Sequence, residues 1–545
     1  MRKWGTSFTL DASVFGGKKD QFLAHEEYTL KPMPHNSVIL DGTSLTVKDV
    51  VHISRDDFRV EISPFALALV RRGRKSIEEI LRSNKTVYGI NTGFGKLADT
   101  KISPGQLEQL QLNLIRSHAV GTGDPLEEDE VRAVMTVRLN SLLRGNSGVR
   151  TEVVRQLQDF LNHNIVPVIP RYGSLGASGD LAPSAHLALC LVGEGSVLDS
   201  GKVVRTKRVL TREGVSPIRL KAKEGLAIIN GTQVMTGIGA LIVEDVYSLI
   251  RNLDIAAAMS VEALGGSLSP FESKVQKLRP MHGQAHVASR ILRLLRDSSF
   301  TDSGSHVQDP YSLRCIPQVH GAFYDALEYA KNVIEIELNS VTDNPLVFPE
   351  SNDVVNSGNF HGQPVSMALD FLCMAVAEAS LYSERRIDKL LSEHNPKLPL
   401  FLSPKAGLNS GMMVTQYTAA ALVAENKILS RPASAENANV SAGQEDHASM
   451  GVTAALKARR AVHYTTTVIA IEILCAAQAM DFLLQESEEQ SGKKMGQGTR
   501  IAYKEIREIS KTLKSDRSLE PDISNVSRAL NQDRLTRAIE RTVQL

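Results

Sequence analysis

Apolar residues change their spacing along the chain near residue 225. Before that point short apolar runs alternate with Gly- and Pro-rich turns. "SVILDGTSLTVKDVVHISRD", starting at Ser37, reads as a strand followed by a helix start. In "SPGQLEQLQLNLIRSH", Ser103 and Pro104 open a helix, Leu107, Leu110 and Leu114 form one stripe, and His118 follows a turn later. Beyond residue 225, helical spacing persists over about 225–264, 310–340, 363–393, 409–430 and 446–485. The last of these would extend on the order of 60 Å at ~1.5 Å per residue. Helices this long bury their apolar faces by lying along one another, within a chain and across subunits. The expected fold is mainly α: an elongated central bundle of long helices over 226–485 and a smaller mixed N-terminal domain over 37–225. An N-terminal extension over 1–36 and a C-terminal helical tail over 486–545, packing on the bundle, complete the expected layout.

Charge narrows the function. With 62 Lys and Arg against 61 Asp and Glu, no basic excess is left to collect phosphates or anionic lipid, so nucleic acid and membrane are not expected partners. No apolar stretch is expected to reach the uncharged length of a membrane span. Cys190, Cys315, Cys373 and Cys475 are far apart, unlike a disulfide framework or a zinc site. The first twenty residues lack an apolar signal region, and together these features predict a cytoplasmic protein.

The chemistry concentrates in "RYGSLGASGDLAPSAHLALCL", Arg171 to Leu191, where Ala177, Ser178 and Gly179 precede an apolar helical run. One reading is a Gly-rich turn into a helix capped by Asp180. A phosphate loop lacks the Lys and the strand–helix context that it needs. In a third reading the nitrogen of Gly179, unhindered by any Cβ, attacks the carbonyl of Ala177 and closes a five-membered ring. Loss of one water from that carbon and one from the Ser178 hydroxyl leaves an exocyclic methylidene, an electrophile that no ordinary side chain provides.

"GASGDLAPSAHLAL" closely resembles the prosthetic-group motif of the aromatic amino acid ammonia-lyases and aminomutases. Eight further segments match in family order between about residues 38 and 485: "VYGINTGFGKL", "LQLNLIRSHAVGTG", "EGLAIINGTQ", "VQDPYSLRCIPQVHG", "NSVTDNPLVF", "GNFHGQPV", "SERRIDKLL" and "GQEDHASMG". The resemblance implies that Ala177-Ser178-Gly179 becomes 4-methylidene-imidazole-5-one (MIO), with no external cofactor. It also implies a homotetramer whose active sites are composed from more than one subunit. The reaction implied is non-oxidative elimination of ammonia from an amino acid.

By position in these motifs, Tyr88 is implied as the base that removes the β-proton, a role calling for a lowered tyrosine pKa. Read alone, Tyr88 could equally anchor a turn. Asn230 is implied to contact electrophile and substrate, and Tyr311, three residues before Arg314, to assist proton transfer. Arg314, with Gln308 beside it in the same segment, is implied to hold the substrate carboxylate, which suits a planar guanidinium. Phe360 is implied as a wall against the substrate ring.

Two places point to histidine as substrate, giving trans-urocanate. Ser117-His118 is a polar pair where phenylalanine-type members carry an aromatic or His followed by Leu. Glu445 stands where aromatic-specific members commonly have Gln, and a carboxylate can accept from an imidazole N–H that a phenyl ring lacks. Gly443 departs from an Asn common in the family. A phenylalanine or tyrosine ammonia-lyase or aminomutase is the alternative. His282 and His286 have metal-like spacing, but no third ligand is evident, and no metal is expected.

Overall fold

Helix Gln233–Ala263 is apolar around nearly its whole circumference and buried along nearly its whole length. A helix of that kind forms only where other helices cover every side. Helices Glu128–Leu142, Ile316–Leu338, Gln363–Leu391 and Gly451–Gln490 surround it. The computed structural model describes residues 36–83, 85–304, 307–351, 353–490 and 492–545, with side chains of 487–490 left aside. The extension expected over 1–35 lies outside the described residues. From Leu40 to Val543 one hydrophobic core is continuous, taking in the mixed N-terminal part, the long helices and the tail.

Before residue 225 the chain forms shorter helices and small sheets. Ser37–Leu40 pairs with Arg59–Ile62, and Thr122–Pro125 lies antiparallel to Pro170–Tyr172. Val166–Pro167, Ser196–Asp199 and Lys202–Arg205 form an antiparallel three-stranded sheet. Helix Val47–Arg55 begins in a capping box, Thr46 and Asp49 each satisfying the other's backbone N–H.

Two of the long helical spans are broken. The 225–264 span divides into Glu224–Ile229 and Gln233–Ala263 because Asn230 leaves the helix in an extended conformation and Gly231 follows at φ +117°. The 310–340 span divides at Cys315 into the single turn Tyr311–Arg314 and helix Ile316–Leu338. There Pro317 sits in the first turn, where its missing N–H is no loss.

The absence of a membrane-length apolar stretch is corrected. Gln233–Ala263, Gln363–Leu391 and Gly451–Glu486 are each long and apolar enough to cross a membrane by length and composition. Their apolar windows are 78%, 67% and 83% buried inside the protein, so the apolarity faces other helices. Buried charges on these helices include internal pairs, as in the Arg386–Glu472 bridge at 2.6 Å. In the tail, Gln497–Ile509 and Glu520–Asn531 pack on this bundle; Gln478 donates to Leu513 O at 3.1 Å and accepts from Leu513 N at 3.0 Å.

Candidate active site

Four helices begin at one place: Leu181–Leu191, Gln233–Ala263, Gln363–Leu391 and Gly451–Gln490. Backbone contacts hold these starts together. Asp180 N donates to Gly231 O at 2.7 Å, and Met450 N to Leu175 O at 2.8 Å. Ser449 Oγ donates to Gly176 O at 3.2 Å. Met235 lies so close to Gly362 and Gly451 that a Cβ on either would stand 2.3 Å from its sulfur. Converging N-termini present a positive potential, which suits developing negative charge.

The small tripeptide lies at this convergence. Gly179 has φ +76°, and a Cβ there would stand 2.2 Å from Gly231 O, so the position excludes any side chain. Gly231 N in turn donates to Ser178 O at 3.4 Å. A segment braced along one edge, free of Cβ at its third residue and open to a cavity at Ala177 and Ser178, fits the ring closure that MIO requires.

Asp180 does not cap its own helix, correcting that expectation: its side chain makes no cap bond there. Oδ2 instead accepts from Val234 N at 2.8 Å and Met235 N at 2.9 Å, capping the next long helix across the tripeptide. The reason is position, since Asp180 N is itself bonded to Gly231 O, which sets the residue beside the start of that helix. Burial pushes the Asp180 carboxyl up to about 7, against the two N–H donors and Arg138, which favour its charged form.

Arg138, Lys223 and Asp343 were not singled out from the sequence. Arg138 is fully buried and donates to Asn230 O at 2.8 Å and Ala227 O at 3.1 Å, fixing the backbone on which Asn230 sits. Burial pushes its guanidinium down to about 10. Lys223 Nζ pairs with Asp343 Oδ2 at 2.5 Å, both groups buried. The available signal was an arginine within the otherwise uncharged run "VMTVRLNSL".

A cavity of about 1390 Å³ opens over the tripeptide and is lined by Tyr88, Ser117, His118, Asn230, Phe360 and Glu445 as well as Ala177 and Ser178. Asn230 Oδ1 is buried and has no hydrogen-bond partner among the described residues. His118 Nδ1 lies 2.8 Å from Leu114 O, so that nitrogen carries the proton and Nε2 is the ring's other polar atom. Tyr88 Oη accepts from Gly95 N at 3.3 Å. Contrary to the expected lowering, the Tyr88 phenol is raised, first by burial and further by the carboxylates of Glu445 and Asp343. Glu445 sits in a loop closed by Val440 N donating to Glu445 O at 3.0 Å. Within it Ser441, Ala442 and Gly443 all have positive φ, and Gly443 at +83° takes a conformation that Asn also tolerates. His361 and His447, also missed, stack at 5.3 Å between ring centroids and line the same cavity as Phe360 and Glu445.

Gln308, Tyr311 and Arg314 are not brought to this cavity within the chain. Tyr311 is 69% exposed and Gln308 is exposed. The Arg314 guanidinium lies 4.7 Å over the Tyr311 ring, and its Nε donates to Asp309 O at 2.9 Å. The two side chains therefore form one cation–aromatic unit, with Tyr311 exposed and Arg314 half-buried.

A bundle of this kind, with a small tripeptide that lacks a Cβ at its third residue under converging helix starts, points to a class of lyase. Residues 45–508 match the aromatic amino acid lyase family, and the chain belongs to it. It is 48% identical to the histidine ammonia-lyase of Alkaliphilus oremlandii (strain OhILAs), over 93% of this chain and 99% of the relative. It is 47% identical to that of Caldanaerobacter subterraneus subsp. tengcongensis, over 89% of this chain and 95% of the relative. Among solved structures, histidine ammonia-lyase from Trypanosoma cruzi superposes with TM-score 0.86 at 40% identity, covering 93% of this chain and 95% of that one. Tyrosine aminomutase from Streptomyces globisporus superposes with TM-score 0.88 at 37% identity, covering 93% and 99%.

Proposed function

We propose that the protein eliminates ammonia from L-histidine to give trans-urocanate. The observation that carries this reading is a carboxylate, Glu445, and an imidazole, His118, lining the same cavity as Ala177 and Ser178. A phenyl ring offers neither group a hydrogen-bond partner, whereas an imidazole does. The names of the relatives support the same substrate.

MIO, formed from Ala177-Ser178-Gly179, supplies an electrophile that makes the substrate amine a better leaving group. The surrounding residues orient and deprotonate. Glu445 and His118 hold the imidazole, and Phe360 walls the ring. Asn230, with its unpaired amide oxygen at the cavity, binds the amine end. Tyr88 takes the β-proton at its phenolate oxygen. As that C–H bond breaks, its electron pair becomes the second bond of the alkene, and the C–N bond breaks with release of ammonia.

Within one chain the described cavity lining offers Lys96 but no arginine for the carboxylate end of the substrate. Tyr311 and Gln308 are exposed outside that cavity, Arg314 lies half-buried against the Tyr311 ring, and Arg314 has the planar fork that binds a carboxylate in two hydrogen bonds. The reading therefore places the Tyr311–Arg314 turn of a second copy in each cavity, within a homotetramer. Apolar side chains exposed along the long helices, among them Tyr329, Ile336, Met367, Phe371, Val414 and Tyr417, support such packing. A guanidinium arriving beside Tyr88 would also counter the carboxylates that raise its phenol.

Steady-state assays with histidine, phenylalanine and tyrosine test the reading through the near-ultraviolet absorbance of urocanate. Preference for phenylalanine or tyrosine, or a β-amino acid product, would overturn it.

A further inference from the structure

The Tyr311–Arg314 turn is four residues long, too short to hold its own orientation. Leu313 anchors it in the core, and a polar link from the bundle comes from Tyr382, whose hydroxyl donates to the Tyr311 carbonyl. That carbonyl already accepts from Cys315 N at 2.9 Å within the turn, so Tyr382 adds a bond from outside it.

Tyr382 is 9% exposed, on helix Gln363–Leu391, and its ring is held on two sides. The Arg386 guanidinium lies 5.2 Å from its centroid, and His320 meets it edge-on at 5.7 Å and 77°. Arg386 is itself immobile. It is fully buried and bonds both oxygens of Glu472, at 2.6 and 2.9 Å, while Ser260 and Ser383 bond the same carboxylate at 2.7 and 2.6 Å. Arg386 Nη1 also stands 3.3 Å from His320 Nε2, and His320 Nδ1 stands 2.6 Å from Asp254, which accepts from Arg290 at 2.8 Å. Five helices thus meet in one buried polar node. Charged groups are costly to bury and lose most of that cost only in a fixed, fully paired geometry, so the node is rigid where an apolar contact would tolerate sliding.

We propose that Tyr382 is a positioning residue for the substrate-carboxylate clamp: seated on the Arg386–Glu472–His320–Asp254 node, it sets the direction in which the Tyr311–Arg314 turn leaves the bundle. The inference rests on the reading that Arg314 binds the substrate carboxylate. It adds that the bundle core, through one phenol, tunes that contact. Tyr382 touches no reacting atom.

The test is Tyr382→Phe in the full-length assembled enzyme, which keeps the ring and removes the hydroxyl, with Arg314→Ala measured in parallel. One hydrogen bond is lost, so KM for histidine should rise roughly three- to tenfold while kcat changes less. Two competitive inhibitors separate positioning from general damage. Imidazolepropionate has a carboxylate and should bind more weakly to Tyr382→Phe; histamine has none and should bind unchanged. Arg386→Lys, which keeps a charge beside Glu472 but removes the plane beneath Tyr382, should give the same pattern and serves if Tyr382→Phe fails to assemble. Equal weakening of both inhibitors, or an unchanged KM in Tyr382→Phe while Arg314→Ala raises it, overturns the proposal. If Arg314→Ala changes neither KM nor imidazolepropionate binding, the clamp reading itself is wrong, and the proposal falls with it.

Discussion

The cavity around the tripeptide and the Tyr311–Arg314 turn carry residues from one set of motifs, yet they are built in opposite ways. Around the cavity, Asp180, Arg138 and Asn230 are buried and cross-bonded, and the helix starts are tied to one another backbone to backbone. In the turn Tyr311 is instead 69% exposed, with the Arg314 cation stacked on it. One region is finished by folding; on the proposed reading, the other is finished when a second copy docks against it. A functional side chain left exposed on a rigid turn, beside apolar faces that are also exposed, is what a composite site looks like from one of its members.

The sharpest way to break this comparison is to disable each region in turn. Ser178→Ala keeps a small residue in the loop but removes the hydroxyl whose loss as water creates the methylidene. The peptide spanning Ala177 to Gly179 should then lack the two-water mass deficit expected of the unaltered protein, and turnover should fall to background. Arg314→Ala alone should also be severely impaired. Co-assembled from a mixture of the two inactive variants, the protein should recover activity in about a quarter of its sites, those drawing both intact contributions. No recovery on mixing would mean that each chain builds its site alone. Tyr88→Phe comes next, with an expected loss of ~10² to 10⁴-fold in kcat at unchanged mass deficit. Near-normal turnover would move the base role to Tyr311.

The two regions were not equally legible in the sequence. Helical spacing revealed the long helices because a residue buried on several sides must be apolar, and that requirement is written position by position. The breaks were harder to read: Asn230 and Cys315 interrupt helical patterns whose apolar period continues on both sides. Motif resemblance marked Tyr88, Asn230, Phe360 and Glu445, which the fold gathers around one cavity. It did not mark Arg138 or Tyr382, because an arginine or tyrosine within an apolar stripe reads as core until its partner, far away in sequence, is known. The same blindness hid the true partner of Asp180, which caps a helix 54 residues further on.

Within the finished region, Glu445 sharpens the contrast between recognition and chemistry. Glu445→Gln removes the charge but keeps the side-chain length, so folding and the mass deficit should be unaffected. A hydrogen bond to a charged group contributes about 1.5–3 kcal/mol, which corresponds to roughly a ten- to 150-fold fall in kcat/KM for histidine. Phenylalanine, which makes no such bond, should lose nothing and so gain relative to histidine. An equal loss for both substrates would assign Glu445 to the loop, not to the imidazole.

The smallest expected effect tests how the finished region balances burial against bonding at Asp180. Two backbone N–H groups favour the carboxylate, burial opposes it, and burial prevails, holding the native carboxyl protonated up to about 7 against 3.8 as the ordinary value. Between about pH 4 and 7 the native protein therefore keeps a proton that the unfolded chain has released. Stability falls as pH rises wherever the native state holds more protons, here by at most about 1.4 kcal/mol per pH unit. Below pH 4 both states are protonated and above pH 7 neither is, so the slope from this group is confined to that window. Asp180→Asn cannot titrate, yet its amide oxygen still accepts from Val234 N and Met235 N. Urea unfolding at constant protein concentration should therefore show a flatter pH dependence for Asp180→Asn between pH 4 and 7. The same slope in both proteins would mean that the two N–H groups hold the carboxylate charged throughout, and that the helix start at Gln233, more than the surrounding core, governs its proton.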